Sequence, residues 1–124
     1  MKNLHDFVAS IVENGGATFN LVTGTSPTTG FVVSERGFED VTPIFAGDMV
    51  TKQIIVSTAV SLFIRKNGFE LNEPENYLGG WIDDGSLFLD ISRVYDNEHD
   101  ALRIAVNNGQ KAYYHIDNDK TTEL

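Results

Sequence analysis

The stretch GTSPTTG, Gly24 to Gly30, comes nearest in residue type to a phosphate cradle. Small residues leave its backbone amides accessible, and Thr25, Ser26, Thr28 and Thr29, with Thr23 just before them, supply hydroxyls. A Walker loop needs a lysine before its Ser/Thr and a helix after it. Here the lysine is missing and a β-prone run follows, so the expectation is a connecting loop. If it holds a ligand, that ligand is a nucleotide or another small molecule.

Asp83, Asp84, Asp90 and Asp96 offer oxygen ligands of the kind divalent cations take. Their spacing is not that of a twelve-residue calcium loop. Asp83 and Asp84 are explained as turn formers and Asp96 as a helix cap, so no metal is expected. His5, His99 and His115 lie far apart, none with a second histidine at i+3 or i+4. They read as separate surface residues. There is no GxSxG elbow and no cysteine, which removes that hydrolase pattern and thiolate zinc sites. No catalytic, cofactor-binding or metal residue is assigned, and the chain reads as non-enzymatic with no cofactor.

Trp81, Tyr113 and Tyr114 could stack on bases, but such platforms need flanking cations. Their neighbours are Asp83, Asp84, Asp117 and Asp119. Core packing is expected for most of these rings. A ring left exposed and rimmed by acids suits a protein interface. The interaction candidates are therefore Trp81, Asp83, Asp84, Asp96, Glu98, Asp100, Tyr113, Asp117 and Asp119.

The 124 residues carry nine basic and eighteen acidic side chains, a net charge of −9. Residues 1–69 hold six acids and five bases, whereas residues 70–124 hold twelve acids and four bases. An anionic C-terminal half repels phosphate backbones and attracts cationic partners, including proteins that themselves bind nucleic acid. The length suits a single domain over 1–124. Asp6 and Glu13 interrupt the first apolar residues, so no signal peptide is expected. No apolar run approaches the ~20 residues of a membrane span.

Positioning these residues falls to elements readable from periodicity. Leu4, Phe7, Val8, Ile11 and Val12 form the stripe of a core-facing helix capped by Asn3 and stopped by Gly15-Gly16. Residues 17–22 and 30–34 read as two strands of a hairpin with a wide connection. Residues 35–47 are ambiguous, with a short strand around Val41–Phe45 that Pro43 would place at an edge. Asp48 caps a helix over 49–66, apolar on most sides and hence expected to be well buried. Residues 69–76 read as a loop. Asp84-Gly85 predicts a hairpin between 77–83 and 86–95. Asp96 is the expected cap of a helix over 97–108. Lys111–Asp117 reads as a strand with Ala112, Tyr114 and Ile116 on one face, and Thr121-Thr122 as a brief further pairing after a turn at Asn118-Asp119. A strand–helix–strand run favours a parallel crossover. The expected architecture is α+β: a two-layer sandwich with a mixed sheet of about five strands and about three helices.

The segment YLGGWIDDGSLFLDISRVYDNEHDALRIAVNNGQKAYYHID resembles the C-terminal part of small proteins of unknown function encoded by phages and mobile elements. The Gly80-Trp81 pair, the apolar and Asp strand at 87–91 and the helix leading to Lys111–Asp117 carry the likeness. ATFNLVTGTSPTTGFVVS resembles their N-terminal part, so the similarity spans residues 16–117. It implies no catalytic residues. It implies a small accessory protein in the cytoplasm of a bacterial host. The expected role is binding a host or defence-system protein through an acidic surface, as anti-restriction and anti-CRISPR inhibitors do. The alternatives are a nucleotide-sequestering domain and a minor structural or oligomeric viral protein. Direct nucleic-acid and membrane contact are not expected, and a homo-oligomer is compatible with the sequence.

Overall fold

The computed structural model describes residues 3–45 and 47–124; Met1, Lys2 and Ala46 (the last inside the ambiguous stretch) lie outside them. Helix α1 (Leu4–Asn14) forms where the apolar stripe predicts it, with Asn3 accepting from the Asp6 amide at 2.9 Å. It ends at Gly15, whose φ of +88° is one that glycine adopts at low cost. Strands β1 (Gly16–Phe19), β2 (Phe31–Ser34) and β3 (Asp40–Pro43) follow. Then come α2 (Met49–Lys66), α3 (Gly68–Leu71), β4 (Tyr77–Asp83), β5 (Ser86–Tyr95), α4 (Glu98–Asn107), β6 (Ala112–His115) and β7 (Lys120–Glu123).

The fold is α+β, but the sheet differs from expectation. Among the described residues it has seven strands rather than about five, and four helices rather than about three. Its pairings are all antiparallel, not mixed, in the order β1-β4-β5-β2-β6-β7 with β3 also on β5. The expected hairpin of β1 with β2 does not form. The β4–β5 hairpin stands between them, so the connection over residues 20–30 crosses the end of two strands. The parallel crossover is also not a pairing. Strands β5 and β6 run the same way because each is antiparallel to β2, which lies between them.

Strand β5 is the spine. On one side it pairs with β4 along Ser86–Ser92. On the other, β3 faces Ser86–Leu89 and β2 faces Ser92–Tyr95. Residues 35–39 of one side thus oppose only Asp90 and Ile91 of the other. This is an insertion larger than a one-residue bulge, and at its start the Glu35 amide bonds to the Ile91 carbonyl at 2.7 Å. Arg93 straps it, its Nε 3.2 Å from a Glu35 oxygen and 3.0 Å from Asn76 Oδ1. The β4–β5 turn is as predicted, with positive φ at both Asp84 (48°) and Gly85 (76°).

Residues directly opposite in an antiparallel pair share a face. The register therefore puts Phe19, Phe31, Val33, Leu78, Leu87, Leu89, Ile91 and Tyr113 on one side. That side carries both cores. The larger joins these strands to Phe7 and Ile11 of α1, Val56, Val60 and Phe63 of α2, and Leu71 of α3. The smaller joins Phe31, Val33 and Tyr113 to Ala101 and Ala105 of α4. All four helices contribute to this side. Strand β6 is buried with the parity opposite to that expected: Tyr113 faces α4, and Ala112 and Tyr114 face away.

Helix α2 begins and ends where predicted, with Asp48 accepting from the Thr51 amide at 2.8 Å. That bond to the exposed cap holds the Asp48 carboxyl below its ordinary range. The helix is not well buried, however. Val56, Val60 and Phe63 reach the core while Met49, Val50, Ile54 and Leu62 stay exposed. One helix on one side of a sheet can bury only one stripe, and α2 has more apolar positions than that stripe holds.

Candidate functional site

The face without helices carries two of the three aromatic candidates, Trp81 and Tyr114. Trp81 of β4 and Phe88 of β5 are directly opposite in register and stack, with centroids 5.4 Å apart and planes within 7°. Val41 of β3 is the next residue across from Phe88 and is half exposed. Three adjacent strands thus line up Trp81, Phe88 and Val41, with both rings partly open to solvent. Asp83 and Asp84, exposed at the β4–β5 turn, rim the sheet end nearest this patch.

The other acidic candidates gather at the far end of β5, about 30 Å away for a strand of this length. Tyr95, Phe31 and His115 are aligned across β5, β2 and β6. This brings together Asp96, the first turn of α4 with Glu98 and Asp100, the β6–β7 turn with Asp117 and Asp119, and Gly30, the end of the Gly24–Gly30 loop. Several of these acids are engaged. Asp117 Oδ1 accepts from the Gly30 amide at 2.8 Å and lies 3.4 Å from His115 Nε2, whose ring stacks on Phe31 at 4.1 Å. Asp119 accepts from the Tyr114 hydroxyl at 2.5 Å, a bond that pushes the phenol up to about 12. Glu98 accepts from Tyr113 at 2.8 Å and likewise raises that phenol. Asp100 is 3.8 Å from Arg103. The seven acidic candidates therefore divide two and five between opposite ends and do not form one continuous anionic face.

Two assignments change. Tyr113 is a core residue, 5% exposed, and is removed from the interaction candidates. Asp96 does not cap α4: Asn97 does, its Oδ1 accepting from His99 at 2.8 Å and Asp100 at 3.2 Å, which leaves Asp96 outside the helix.

In the Gly24–Gly30 loop, Thr28 and Thr29 are exposed, Ser26 is partly buried, and Thr25 Oγ1 lies 2.7 Å from Thr23 Oγ1. The turn leading into it folds on Asn20, which accepts from the Val22 and Thr23 amides and donates to the Pro74 carbonyl at 2.8 Å. The loop's last amide, that of Gly30, is given to the Asp117 carboxylate. A resident anion thus occupies a donor that a phosphate would use. Two surface depressions run along α1 and between α1 and α2, and none of the interaction or loop candidates lines either.

Asp90 was not singled out for its true setting. It is 1% exposed on the central strand, accepting from Ser34 at 2.5 Å and from Ser92 at 2.9 Å. Burial pushes its carboxyl up to about 6 against the pull of these hydroxyls, with Glu39 adding to the rise. Gly79 lies opposite, where an added Cβ would stand 2.3 Å from Asp90 Oδ1. The signal was in the sequence: a Gly-Gly pair in one strand of a strong hairpin, facing an acid between two apolar residues in the other. Enclosed in this way, the carboxyl clasps β2 to β5 and offers no approach for a substrate. The other acids once grouped with it, Asp83, Asp84 and Asp96, sit exposed at the two ends of β5. Among the described residues no three His, Asp or Glu side chains converge as metal ligands, and no helix is long and apolar enough to cross a membrane.

No family model, curated protein or solved structure matches the chain.

Proposed function

We propose that this protein is a non-enzymatic binding module that docks a basic protein through the helix-free face, with Trp81 and Phe88 as anchor and Asp83 and Asp84 as rim. The observation that carries this reading is the stacked, partly exposed ring pair beside an anionic sheet end. A rigid aromatic centre with a polar margin is the usual anatomy of an interface hot spot. Carboxylates and a net charge of −9 steer cationic partners towards it. The partner class is a host or defence-system protein that itself binds nucleic acid, and the setting is the bacterial cytoplasm, in keeping with the phage-protein resemblance. Sequestering a nucleotide in the Gly24–Gly30 loop is less well supported, since Asp117 already fills the Gly30 donor.

The test is capture from nuclease-treated bacterial lysate with the immobilised chain, followed by affinity measurement on the purified partner. A basic partner should bind at low salt and weaken as salt rises. W81A should cost about tenfold or more in affinity. D83K/D84K should mainly slow association, while D96K/D100K at the far end should change little. A partner held equally well by W81A and D83K/D84K would remove the reading.

A further inference from the structure

The side of the molecule away from this face presents an apolar strip with no partner in the fold. Val50, Ile54 and Leu62 of α2 are 70%, 60% and 59% exposed, and Phe45, before the helix, and Phe69, after it, are 92% and 84% exposed. Between Ile54 and Leu62 the exposed positions are small: Ser57, Thr58 and Ser61. The large apolar residues nearest its middle are placed evenly about Thr58. Ile54 and Leu62 stand four residues to either side, roughly 6 Å along the axis. Phe69 lies eleven residues after Thr58, and Phe45, thirteen before, precedes the helix.

The charges follow the same pattern. Residues 49–66 contain Lys52, Arg65 and Lys66 and no acid, in a chain of net charge −9. Lys66 is held by Asp40 at 3.0 Å. No carboxylate among the described residues pairs with Arg65. Asp48 is exposed, and the partner it meets is Thr51, whose amide and hydroxyl both bond to its carboxylate. In an antiparallel pair centred on Thr58, Asp48 of one copy comes within a turn of Arg65 of the other, and this happens twice. The two Arg65 side chains lie on opposite sides of the axis and do not face each other; Lys52, which falls level with Arg65 of the other copy, lies about 120° round the helix from Thr58, off the seam.

We infer that two copies of this chain associate through α2, antiparallel about a two-fold axis beside Thr58, with Ile54 against Leu62 and Asp48 against Arg65 across the interface. A strip that complements itself is what an isologous interface requires. The small residues at the crossing allow the axes to approach to about 8 Å. Phe45 and Phe69 offer on the order of 150 Å² each. With the three aliphatic residues the strip reaches on the order of 600 Å² per copy, near the lower bound for a specific interface. Its α2 residues lie on the side of the sheet away from Trp81, so the dimer contact through Ile54 and Leu62 does not depend on the Trp81 site.

Sedimentation of the full chain across the micromolar range tests the inference. The wild type should have twice the mass of the single chain at high concentration. I54E/L62E, both at exposed positions and so compatible with folding, should be monomeric with an unchanged far-UV spectrum. D48N keeps a good capping residue while removing the charge; it and R65Q should each weaken association about three- to tenfold. Because the chain has no cysteine, T58C gives a unique thiol beside the axis. It should form a covalent dimer on mild oxidation, and N107C on α4 should not. A wild-type monomer throughout, whether or not it binds anionic phosphatidylglycerol vesicles through the same strip, overturns the inference. So does a dimer that I54E/L62E leaves intact.

Discussion

Replacing Asp90 by asparagine removes a charge that the fold holds out of water while keeping the side chain's size and hydrogen bonds. The amide oxygen can accept from one of Ser34 and Ser92, and the NH2 group can donate to the hydroxyl oxygen of the other. The carboxyl is raised from 3.8 to about 6 by burial, and two units correspond to about 3 kcal/mol between protonated and ionised forms. The sign follows from linkage. A carboxyl that binds its proton more tightly when folded contributes stability that is complete below pH 4 and lost as pH rises through about 6. At pH 7 both states are ionised and the folded one carries the desolvation cost. D90N should therefore be more stable than wild type by about 1–3 kcal/mol at pH 7 and by little or nothing at pH 4. Urea unfolding of both proteins at several values from pH 4 to pH 7 measures the difference and cancels the shared titration of the surface acids. If D90N is less stable than wild type by the same amount at every pH, the carboxyl is not held in the raised state and the reasoning fails.

Other predictions follow from single contacts. N97A should lose about 1 kcal/mol of stability and D96A a few tenths at most, since only Asn97 caps α4; thermal unfolding separates them. G79A should cost about 1–3 kcal/mol by driving a methyl into the Asp90 carboxyl, and the cost should shrink in a D90A background, which a double-mutant cycle reads directly. In an ultraviolet titration one phenol should ionise near 12. D119N, by removing the carboxylate that Tyr114 binds, should bring it back towards its ordinary 10.

Local signals were legible where one force dominated. The spacing of Leu4, Phe7, Val8 and Ile11 gave α1, and Asp84-Gly85 gave the β4–β5 hairpin with its register. Most of the differences arise because neighbours in sequence are not neighbours in space. Strands β1 and β2 looked like a hairpin because nothing local says that residues 77–95 will pass between them. The apolar excess of α2 read as burial, although its outer positions have nothing above them in the monomer. The parity of β6 could not be settled from Tyr113-Tyr114, since either ring could fill the core and the choice belongs to Phe31 and Ala105. Two cap-competent residues stood side by side at 96–97, and the backbone chose the second. As for the candidate site, Trp81 and its acids were legible, but Phe88 and Val41 join them only through strand pairing.

The five residues from Glu35 to Glu39 give the two lengths of chain beside β5 independent alignment. Each is held in place by its own stretch of the spine, so shortening or lengthening this segment by one residue leaves the inward and outward sides of both unchanged. The same one-residue edit inside β5 would turn every subsequent side chain inside out. Evolution or engineering can accordingly vary the chain at this gap, whereas the spine must be copied residue for residue.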